Sequence, residues 1–265
     1  MPQKTDILQS ELGPHGVLRL ILNDNRRRNA LSEAMLIALS RAIIEADQAP
    51  AIRVIIIASD GPAFCSGHDL KEITQHRNDP DEGQTFFSKL MQLCSELMQN
   101  VVNCSKPVIA EVEGTATAAG CQLVGSCDLA IASDTAVFST PGVDIGLFCS
   151  TPMVALSRNI GSKQAMEMLL TGDRVSAEKA AEIGLINRAV TQDELRATVS
   201  ELAEKIAAKS SLTLATGKAA FYAQKELNLA EAYAYTSEVM VKNMLRHDAK
   251  EGIEAFIEKR PPKWT

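Results

Sequence analysis

The segment that decides the fold is Lys106-Pro-Val-Ile-Ala-Glu-Val-Glu-Gly-Thr-Ala-Thr-Ala-Ala-Gly-Cys-Gln122. Its first half, Pro107 to Val112, is an apolar run with the length of a buried strand. Only glycine, alanine and threonine follow from Gly114 to Gly120, so no bulky side chain shields the main chain there. A helix that begins near Gly120 turns its N-terminal N–H groups and the positive end of its dipole toward this turn. The segment therefore predicts a strand, a bare turn and a helix that together can bind an oxygen carrying negative charge.

A second loop of similar character is Ala63-Phe-Cys-Ser-Gly-His-Asp-Leu-Lys-Glu72. It follows a buried strand predicted over Arg53 to Ala58 and leads toward a helix, and Gly67 permits backbone angles that other residues resist. Two N–H groups from such loops stabilise a developing oxyanion in acyl transfer or in enolate chemistry. The same pattern also fits close packing of strands against helices, and spacing alone leaves both interpretations open.

Length, composition and charge exclude several classes of protein. The chain has 265 residues, of which 46% are hydrophobic, so a large core is expected and disorder is not. The net charge of −6 disfavours a nucleic-acid groove or an anionic membrane surface, although a local basic cluster can hold one anionic ligand. No apolar run has the length of a membrane span, so we predict neither nucleic acid nor membrane insertion.

The termini and the cysteines set expectations about the cell compartment and about metals. Residues 1–6 show neither an apolar signal region nor an arginine-rich amphipathic leader. We therefore predict a cytoplasmic protein, or a protein of the mitochondrial matrix if a leader has been removed. The six cysteines form no CxxC pair and most have apolar neighbours, which favours buried thiols over disulfides or a zinc site.

Strands and helices alternate before Pro152, and helices dominate after it. The predicted strands span residues 16–23, 53–58, 107–112, 128–132 and 136–138, and the predicted early helices span 32–46, with Ser32 as N-cap, and 84–102. Later helices are predicted at 153–159, 163–170 and 177–183 and from residues 193, 212, 229 and 249. This order predicts an α/β core of residues 1–190 and a helical region of residues 191–265, with a hinge near Arg188 to Asp193.

In these segments the chain resembles the crotonase, or enoyl-CoA hydratase/isomerase, superfamily over essentially its whole length. Each matching motif is weak alone, but their order and spacing together are specific. The motifs are Asn23–Leu31, Phe64–Glu72, Lys106–Asp128, Thr171–Ala177, Gly184–Asn187 and Glu251–Arg260. The resemblance implies a ClpP/crotonase-like α/β fold, in which a spiral of ββα units forms the core and C-terminal helices form a trimerisation region.

The resemblance also implies a ligand and a way to hold it. Crotonases bind acyl-CoA thioesters and require no cofactor beyond that coenzyme A thioester. Two backbone N–H groups, here those of His68 and Ala119, hold the thioester oxygen and stabilise an enolate-like state. The imidazole of His68 adds either a general base near neutral pH or a side chain that merely packs or faces water.

Hydratases of this family place two glutamates around one water, and this chain carries neither of them. One glutamate takes a proton from the water while the other delivers a proton to the α-carbon. The two positions correspond to Gln122 and Gly142, which cannot exchange protons near pH 7. An aspartate that some members use instead corresponds to Ser150. If the segment is extended, Asp144 lies on the face of Gly142 and approaches the site; otherwise it is a loop or helix-start carboxylate.

Basic residues near the first strand–helix turn and the oxyanion loop hold the CoA phosphates and adenine in the family. The corresponding basic residues here are Arg26, Arg27, Arg28, Lys71 and, on the C-terminal helix, Lys259. The corresponding residues of the oxyanion loop are His68, Asp69 and Leu70. Such a charge run is also typical of a solvated surface. Cys149 is a possible nucleophile, but the sequence supplies no base for it, so buried packing is the expectation.

The sequence thus predicts an acyl-CoA thioester-binding enzyme in which ordinary hydration is weak or absent. A non-catalytic acyl-CoA binding or regulatory protein is the alternative from another class, and a crotonase-type thioester hydrolase or decarboxylase is a third possibility. Apolar stripes on the C-terminal helices, such as Tyr233, Met240 and Met244, fit either a homotrimer, often paired into a hexamer, or an intramolecular core.

Overall fold

The computed structural model describes residues 6–265 and contains two β-sheets, with helices packed around them and a helical C-terminal part. The strands are β1 (Leu8–Leu12), β2 (Val17–Leu22), β3 (Val54–Ser59), β4 (Ala63–Cys65), β5 (Val108–Val112), β6 (Thr115–Thr117), β7 (Leu129–Ser133), β8 (Val137–Ser139), β9 (Val175–Ser176) and β10 (Arg188–Val190). The helices are α1 (Glu33–Gln48), α2 (Leu70–His76), α3 (Gln84–Asn103), α4 (Ala119–Ser126), α5 (Pro152–Asn159), α6 (Ser162–Thr171), α7 (Ala177–Glu182), α8 (Gln192–Ala207), α9 (Ser211–Gln224), α10 (Leu229–Met244) and α11 (His247–Glu258).

The larger sheet has the strand order β1-β2-β3-β5-β7-β10 and is parallel except for the antiparallel pair β1 and β2. Its central strands are continuous apolar runs, as Val54 to Ala58 illustrates, because helices cover both faces of the sheet. Helices α1, α3 and α4 contribute to the core on one face, and α8 covers the other through Leu195, Val199, Ala203 and Ala207.

The smaller sheet has the order β4-β6-β8-β9, and it positions the two loops singled out in the sequence. Strands β4 and β6 are parallel neighbours, so the segments that follow them leave the sheet at the same edge. The prediction of a loop from Ala63 onward was wrong over its first three residues, which form β4, a strand too short to show an alternating pattern. This pairing brings Gly67 and Ala118 together although about 50 residues separate them.

The prediction groups α8 with the C-terminal region, whereas in the structure α8 packs on the large sheet. The helices that stand away from the sheets begin with α9. Helix α10 has no buried residue, and α9 buries only Ala220. The domain boundary at residue 190 stays a prediction, and the break in packing follows Ala207.

A buried polar cluster holds α9 against the core. The Lys218 ammonium lies 2.7 Å from the Asp128 carboxylate and donates to the carbonyl oxygens of Val101 and Lys106. The Tyr222 hydroxyl donates to the other Asp128 oxygen at 3.0 Å, and burial followed by the Asp128 charge raises the pKa of Tyr222. Every donor of the lysine thus has a partner, which is the condition under which a buried charge is tolerated.

Candidate active site

The two predicted loops meet at the candidate site. A Cβ atom at Gly67 would lie 3.0 Å from the Cβ of Ala118 and 3.5 Å from the backbone nitrogen of Ala119. Gly67 has a φ of +86°, which disfavours any residue with a side chain. Glycine is therefore required here both for the backbone angle and for the close approach of the second loop.

The N–H group of His68 is left free by the local hydrogen bonding. Leu31 pairs with this loop through its own N–H, which donates to the carbonyl oxygen of Gly67 at 2.7 Å. No acceptor for the His68 N–H is found within residues 6–265. The first of the two predicted donors is therefore available to a ligand.

The second donor lies at the start of α4. Ala118 has φ 50° and ψ −117°, a conformation that residues with a side chain rarely adopt, and its N–H donates to the Ser139 carbonyl oxygen at 2.9 Å. Helix α4 then begins at Ala119 with no side chain of the described residues capping it. Because the first N–H groups of a helix have no intrahelical acceptor, the Ala119 N–H also remains available. Strained backbone of this kind persists only where surrounding structure holds it, and it occurs most often at functional sites.

Close packing of α4 on β4 is achieved through Gly120. A Cβ atom there would overlap the carbonyl oxygen of Cys65, and it would lie 2.8 Å from the Cys65 Cβ. The sequence left open whether the small-residue turn allows close packing or binds an oxyanion. The structure is compatible with both, because the turn packs closely on β4 and leaves N–H groups uncovered.

The His68 imidazole is partly buried, and its environment disfavours the protonated form. Its Nδ1 lies 3.1 Å from the Leu31 carbonyl oxygen, which only accepts, so Nδ1 carries the hydrogen and Nε2 carries the lone pair. Burial lowers the pKa of His68, and the bond to Leu31 opposes this to a smaller extent. Nε2 is inaccessible to solvent and has no partner in the described part of the chain. In this rotamer the imidazole has a packing role, because its Nε2 cannot reach a ligand. To act as a general base, the ring would have to move.

Gln122 lies one turn into α4 with its side chain buried. Its Oε1 faces the thiol of Cys94 on α3 at 3.8 Å. The side chain borders a cavity of about 730 Å³ between α3, α4, α5 and α9. The apolar part of the lining includes Met98, Val102, Val154, Ala155, Ala219 and the Tyr222 side chain.

Gly142 cannot carry a side chain in this backbone. A Cβ atom there would lie 2.5 Å from the Leu147 carbonyl oxygen and 2.9 Å from the Cys149 Sγ. The cysteine sulfur thus occupies space that a side chain at residue 142 would need. Burial raises the pKa of the Cys149 thiol, which favours the packing role over a nucleophilic one.

Residues 141–145 form a 3₁₀ helix, so of the two alternatives for Asp144 the structure has the helix-start carboxylate and not the extended segment. Asp144 is exposed, and a Cβ atom at Gly172 would lie 3.3 Å from its Oδ2. Ser150 is also exposed, and its hydroxyl donates to the Phe148 carbonyl oxygen at 3.3 Å. Neither side chain adds a proton-transfer group to the site as the structure stands.

The predicted CoA residues divide into exposed cations and residues with local structural roles. Arg26, Arg27 and Arg28 are all exposed, and Arg27 lies 3.3 Å from Asp69. Asp69 also caps α2 by accepting the N–H groups of Lys71 and Glu72.

The remaining predicted CoA residues lie on two helices. Leu70 and Lys71 are exposed in the first turn of α2, next to the oxyanion loop. Lys259 directly follows α11, which packs on α9 and α10. Its contact with CoA stays a prediction.

The known family that matches this arrangement is the enoyl-CoA hydratase/isomerase family, whose model covers residues 13–265. The chain belongs to the enoyl-CoA hydratase/isomerase family. The crotonase fold is also confirmed by a crystal structure of enoyl-CoA hydratase from Mycobacterium smegmatis. That structure has a TM-score of 0.93 and 45% sequence identity, and the match covers 97% of this chain and 98% of the other.

Similar family members share one name. Enoyl-CoA hydratase domain-containing protein 3, mitochondrial, from Rattus norvegicus is 46% identical over 100% of this chain and 86% of its own length. The crystal structure of the human protein of that name has a TM-score of 0.92 at 44% identity, covering 97% of this chain and 100% of that chain. The segments Ala116–Leu123 and Leu147–Pro152 of this chain indicated the same branch, which the comparisons confirm.

Two site features were not predicted from the sequence. The cavity and the Cys94 partner of Gln122 involve α3, α4, α5 and α9, which are distant in the chain. No sequence pattern of a single segment indicates them. No helix within residues 6–265 has the length and apolarity needed to cross a membrane, and the same residues contain no cluster of three potential metal ligands.

Proposed function

We propose that this protein binds acyl-CoA thioesters and that the N–H groups of His68 and Ala119 hold the thioester oxygen. The observation that carries the proposal is the approach of the two loops at Gly67, beside two N–H groups with no acceptor in the described residues. Paired N–H donors aimed at one point stabilise an oxyanion or enolate oxygen. The position of Ala119 at the start of α4 adds the favourable end of the helix dipole.

The proton-transfer step that accompanies this binding in hydratases is disabled in our proposal. Gln122 has an amide where a carboxylate would act, and Gly142 has no room for any side chain. An amide orients a water molecule but does not exchange a proton with it near neutral pH. We therefore assign stabilisation of the thioester oxygen to this site and only weak hydration.

A non-catalytic acyl-CoA binding protein is the second candidate, and one observation favours it. The two candidates to replace the missing carboxylates, Asp144 and Ser150, are both exposed: Asp144 lies beside Gly172, and the Ser150 hydroxyl donates to the Phe148 carbonyl oxygen. The His68 nitrogen that carries the lone pair is sealed from solvent. The positions of Asp144, Ser150 and His68 are therefore consistent with binding of a thioester without turnover.

For the coenzyme, we propose contacts with the exposed cations beside the oxyanion loop. Arg26 and Arg28 are exposed and have no carboxylate partner within 4.0 Å in residues 6–265. Lys71 lies in the first turn of α2, directly after the loop. Such cations bind phosphate oxygens by charge-assisted hydrogen bonds.

We further propose a homotrimer, alone or paired into a hexamer. Large apolar side chains of α10 and α11 are exposed in the single chain, among them Leu229 at 76% and Phe256 at 84%. Several large exposed apolar side chains on neighbouring helices are typical of a subunit interface. Because the similar vertebrate proteins are named as mitochondrial, we also favour the matrix over the cytoplasm that the sequence first suggested.

The test measures crotonyl-CoA binding by calorimetry and its hydration by absorbance. We expect the wild type to bind the thioester and to hydrate it well below the usual range of about 1–1000 per second. Gln122→Glu should raise hydration about tenfold or more, because a carboxylate can then exchange protons. The matched control is Gln92→Glu, at an exposed residue of α3 outside the cavity lining.

Each part of the proposal has its own contradicting result. Absence of thioester binding to the wild type would overturn the assignment of the ligand. Wild-type turnover within the usual enzymatic range would overturn the claim that proton transfer is disabled. Gly142→Glu is left out of the test because its side chain would clash with Leu147 and Cys149.

A further inference from the structure

A fully buried asparagine, Asn29, joins the arginine-bearing turn of residues 24–31 to the strand that leads into the oxyanion loop. Its Nδ2 donates to the carbonyl oxygens of Asp60 at 2.9 Å and of Ala63 at 2.8 Å. Its Oδ1 accepts from the Asp24 N–H at 2.8 Å. Every polar atom of this carboxamide thus has a backbone partner, which is the condition under which a polar side chain is buried without a penalty.

The backbone of the turn lies beside the oxyanion loop on both sides of Asn29. Arg28 and Asn29 are left-handed, with φ of +53° and +54°, a region that asparagine adopts more readily than most residues with a side chain. Before Asn29, the Arg28 carbonyl oxygen accepts from the Ser66 N–H at 3.1 Å. After it, the Leu31 N–H donates to the Gly67 carbonyl oxygen at 2.7 Å. The turn therefore contacts the two residues that directly precede His68.

The hydrogen bond from Leu31 determines the direction of the His68 N–H. The carbonyl group of Gly67 and the N–H group of His68 belong to one planar, trans peptide unit, in which the two groups point to opposite sides. Because the Leu31 N–H holds the carbonyl oxygen on the side of the turn, the His68 N–H points away from the turn. Strand β4 is an edge strand whose neighbour in the smaller sheet is β6, so this N–H points toward the segment that follows β6.

We propose that Asn29 is a positioning residue whose carboxamide fixes the peptide unit between Gly67 and His68, and thereby aims the His68 N–H at the thioester oxygen. The carboxamide fastens the turn to Ala63 at the start of β4, and the turn holds the far end of the loop through Leu31. This inference rests on the proposed thioester site and adds a residue that acts without touching the ligand. Loss of the carboxamide leaves the donor in the chain but frees its direction.

The same turn carries the three arginines for which we propose contacts with coenzyme A. These are Arg26, Arg27 and Arg28, all of them exposed. Asn29 thus ties the segment that holds the phosphates to the strand that carries the oxyanion donor. A thioester held at its coenzyme end is therefore in register with the N–H group that meets its oxygen.

The experiment compares two ligands by calorimetry: an acyl-CoA thioester and the CoA thioether of the same chain length, which lacks the carbonyl oxygen. We expect the wild type to bind the thioester about tenfold more tightly, the effect of the hydrogen bonds to that oxygen. Asn29→Gly suits the left-handed backbone and removes the carboxamide. It should lower the ratio of affinities to about threefold, because the Ala119 donor alone stays in place. A general loss of affinity weakens both ligands alike and leaves this ratio unchanged.

A second variant and a control narrow the interpretation. Asn29→Asp has nearly the same size and still accepts from the Asp24 N–H, but an ionised carboxylate has no donor for the two carbonyl oxygens. It should lower the ratio to the same extent. The control is Asn25→Ala, at an exposed asparagine of the same turn that donates to the Asp60 carboxylate at 3.1 Å. This variant should keep the wild-type ratio.

The infrared stretching frequency of the bound thioester carbonyl gives an independent readout. Hydrogen bonds to the oxygen polarise the carbonyl, so its frequency should be lower on the wild type and on Asn25→Ala than on either variant of Asn29. A role of Asn29 in stability alone would leave the frequency of the bound ligand unchanged. Circular dichroism checks that each variant is folded.

The outcomes separate this inference from the proposed function. A folded Asn29→Gly or Asn29→Asp that keeps the wild-type ratio and carbonyl frequency would overturn the positioning role while the thioester site stands. If neither variant folds, Asn29 is required for the fold, and the positioning role is overturned as well. If the wild type binds both ligands equally, or binds neither, the proposed function itself fails and this inference fails with it.

Discussion

The region around α4 and the C-terminal helices α9–α11 differ in how much of their apolar surface is buried. Around α4 nearly every side chain is buried within the chain, and glycines allow backbones to touch. On α10 no residue is buried, and large apolar side chains such as Leu229 are exposed. The proposed thioester site is therefore formed by packing within one chain, whereas the apolar side chains of α10 and α11 are left uncovered by the rest of that chain.

The two regions are joined by the Lys218–Asp128 ion pair, in which both side chains are largely shielded from solvent, and this pair gives the largest expected effect. Lys218→Met should destabilise the protein by about 3 kcal/mol, because it leaves the Asp128 carboxylate buried without its charge partner. Urea unfolding measures the loss. Lys225→Met, at the exposed residue that directly follows α9, is the control: it removes one exposed hydrogen bond to the Arg158 carbonyl oxygen and should cost less than about 1 kcal/mol.

Adding Asp128→Asn to Lys218→Met sharpens this prediction. The double variant removes the unpaired charge and should recover part of the lost stability. Equal destabilisation by Lys218→Met and Lys225→Met would show that α9 is held by its apolar contacts instead of by the ion pair.

The next effect concerns the contrast between two helical glycines. Gly120→Ala should cost about 2 kcal/mol and weaken thioester binding, because the new Cβ overlaps the Cys65 carbonyl oxygen and pushes α4 away from β4. Gly217→Ala on α9 meets nothing within 4 Å, so it should stabilise the helix by about 0.5–1 kcal/mol. Unfolding midpoints of both variants measure the difference, and a stabilising Gly120→Ala would refute the close packing of α4.

A charge introduced on the exposed face of α11 tests whether this face forms a subunit interface. Phe256→Glu should weaken subunit association by about 2 kcal/mol, the free energy of burying one large apolar side chain. Sedimentation velocity over a range of protein concentrations measures the shift toward monomer. Lys250→Glu changes an exposed residue on the same helix and serves as control. A wild type that is monomeric at every concentration would contradict the proposed trimer.

The smallest effect is a pH dependence confined to the C-terminal region. Hydrogen bonds, first from Ser210 and then from Thr265, lower the pKa of Asp248 to about 2, against the opposing effect of burial. Its folded-state pKa is lower than its ordinary value, so its contribution to stability is present above about pH 4 and is lost as the pH falls toward 2. Asp248→Asn should therefore reduce the pH dependence of the unfolding midpoint between about pH 4 and 2. The same pH dependence in the variant and in the wild type would contradict this assignment.

The parts that could be predicted from the sequence depend on local interactions. Ser32 caps α1 as predicted by accepting the Met35 N–H, and the strand before the small-residue turn lies at Val108–Val112. These features follow from residue type and periodicity within a few positions. The family motifs likewise identify the fold and the branch.

The parts that were wrong or missed depend on contacts between distant segments. The sequence left open whether the segment around Asp144 is extended or a helix start, and it is a 3₁₀ helix; the predicted loop at Ala63–Cys65 is a strand because β6 pairs with it. The orientation of the His68 ring depends on the Leu31 carbonyl oxygen, 37 residues away in sequence. Periodicity carries no information about such partners.

The opening segment shows where this division lies. The sequence by itself determined a buried strand, a turn of small residues, and an amide at residue 122 in place of a carboxylate, since these are properties of the residues themselves. Only the tertiary structure decided that Gly67 meets Ala119, that Cys149 blocks residue 142, and that the Gln122 amide oxygen accepts from the Cys94 thiol. The physical reason is that available N–H groups and occupied volumes depend on neighbours brought together by folding, which local sequence does not specify.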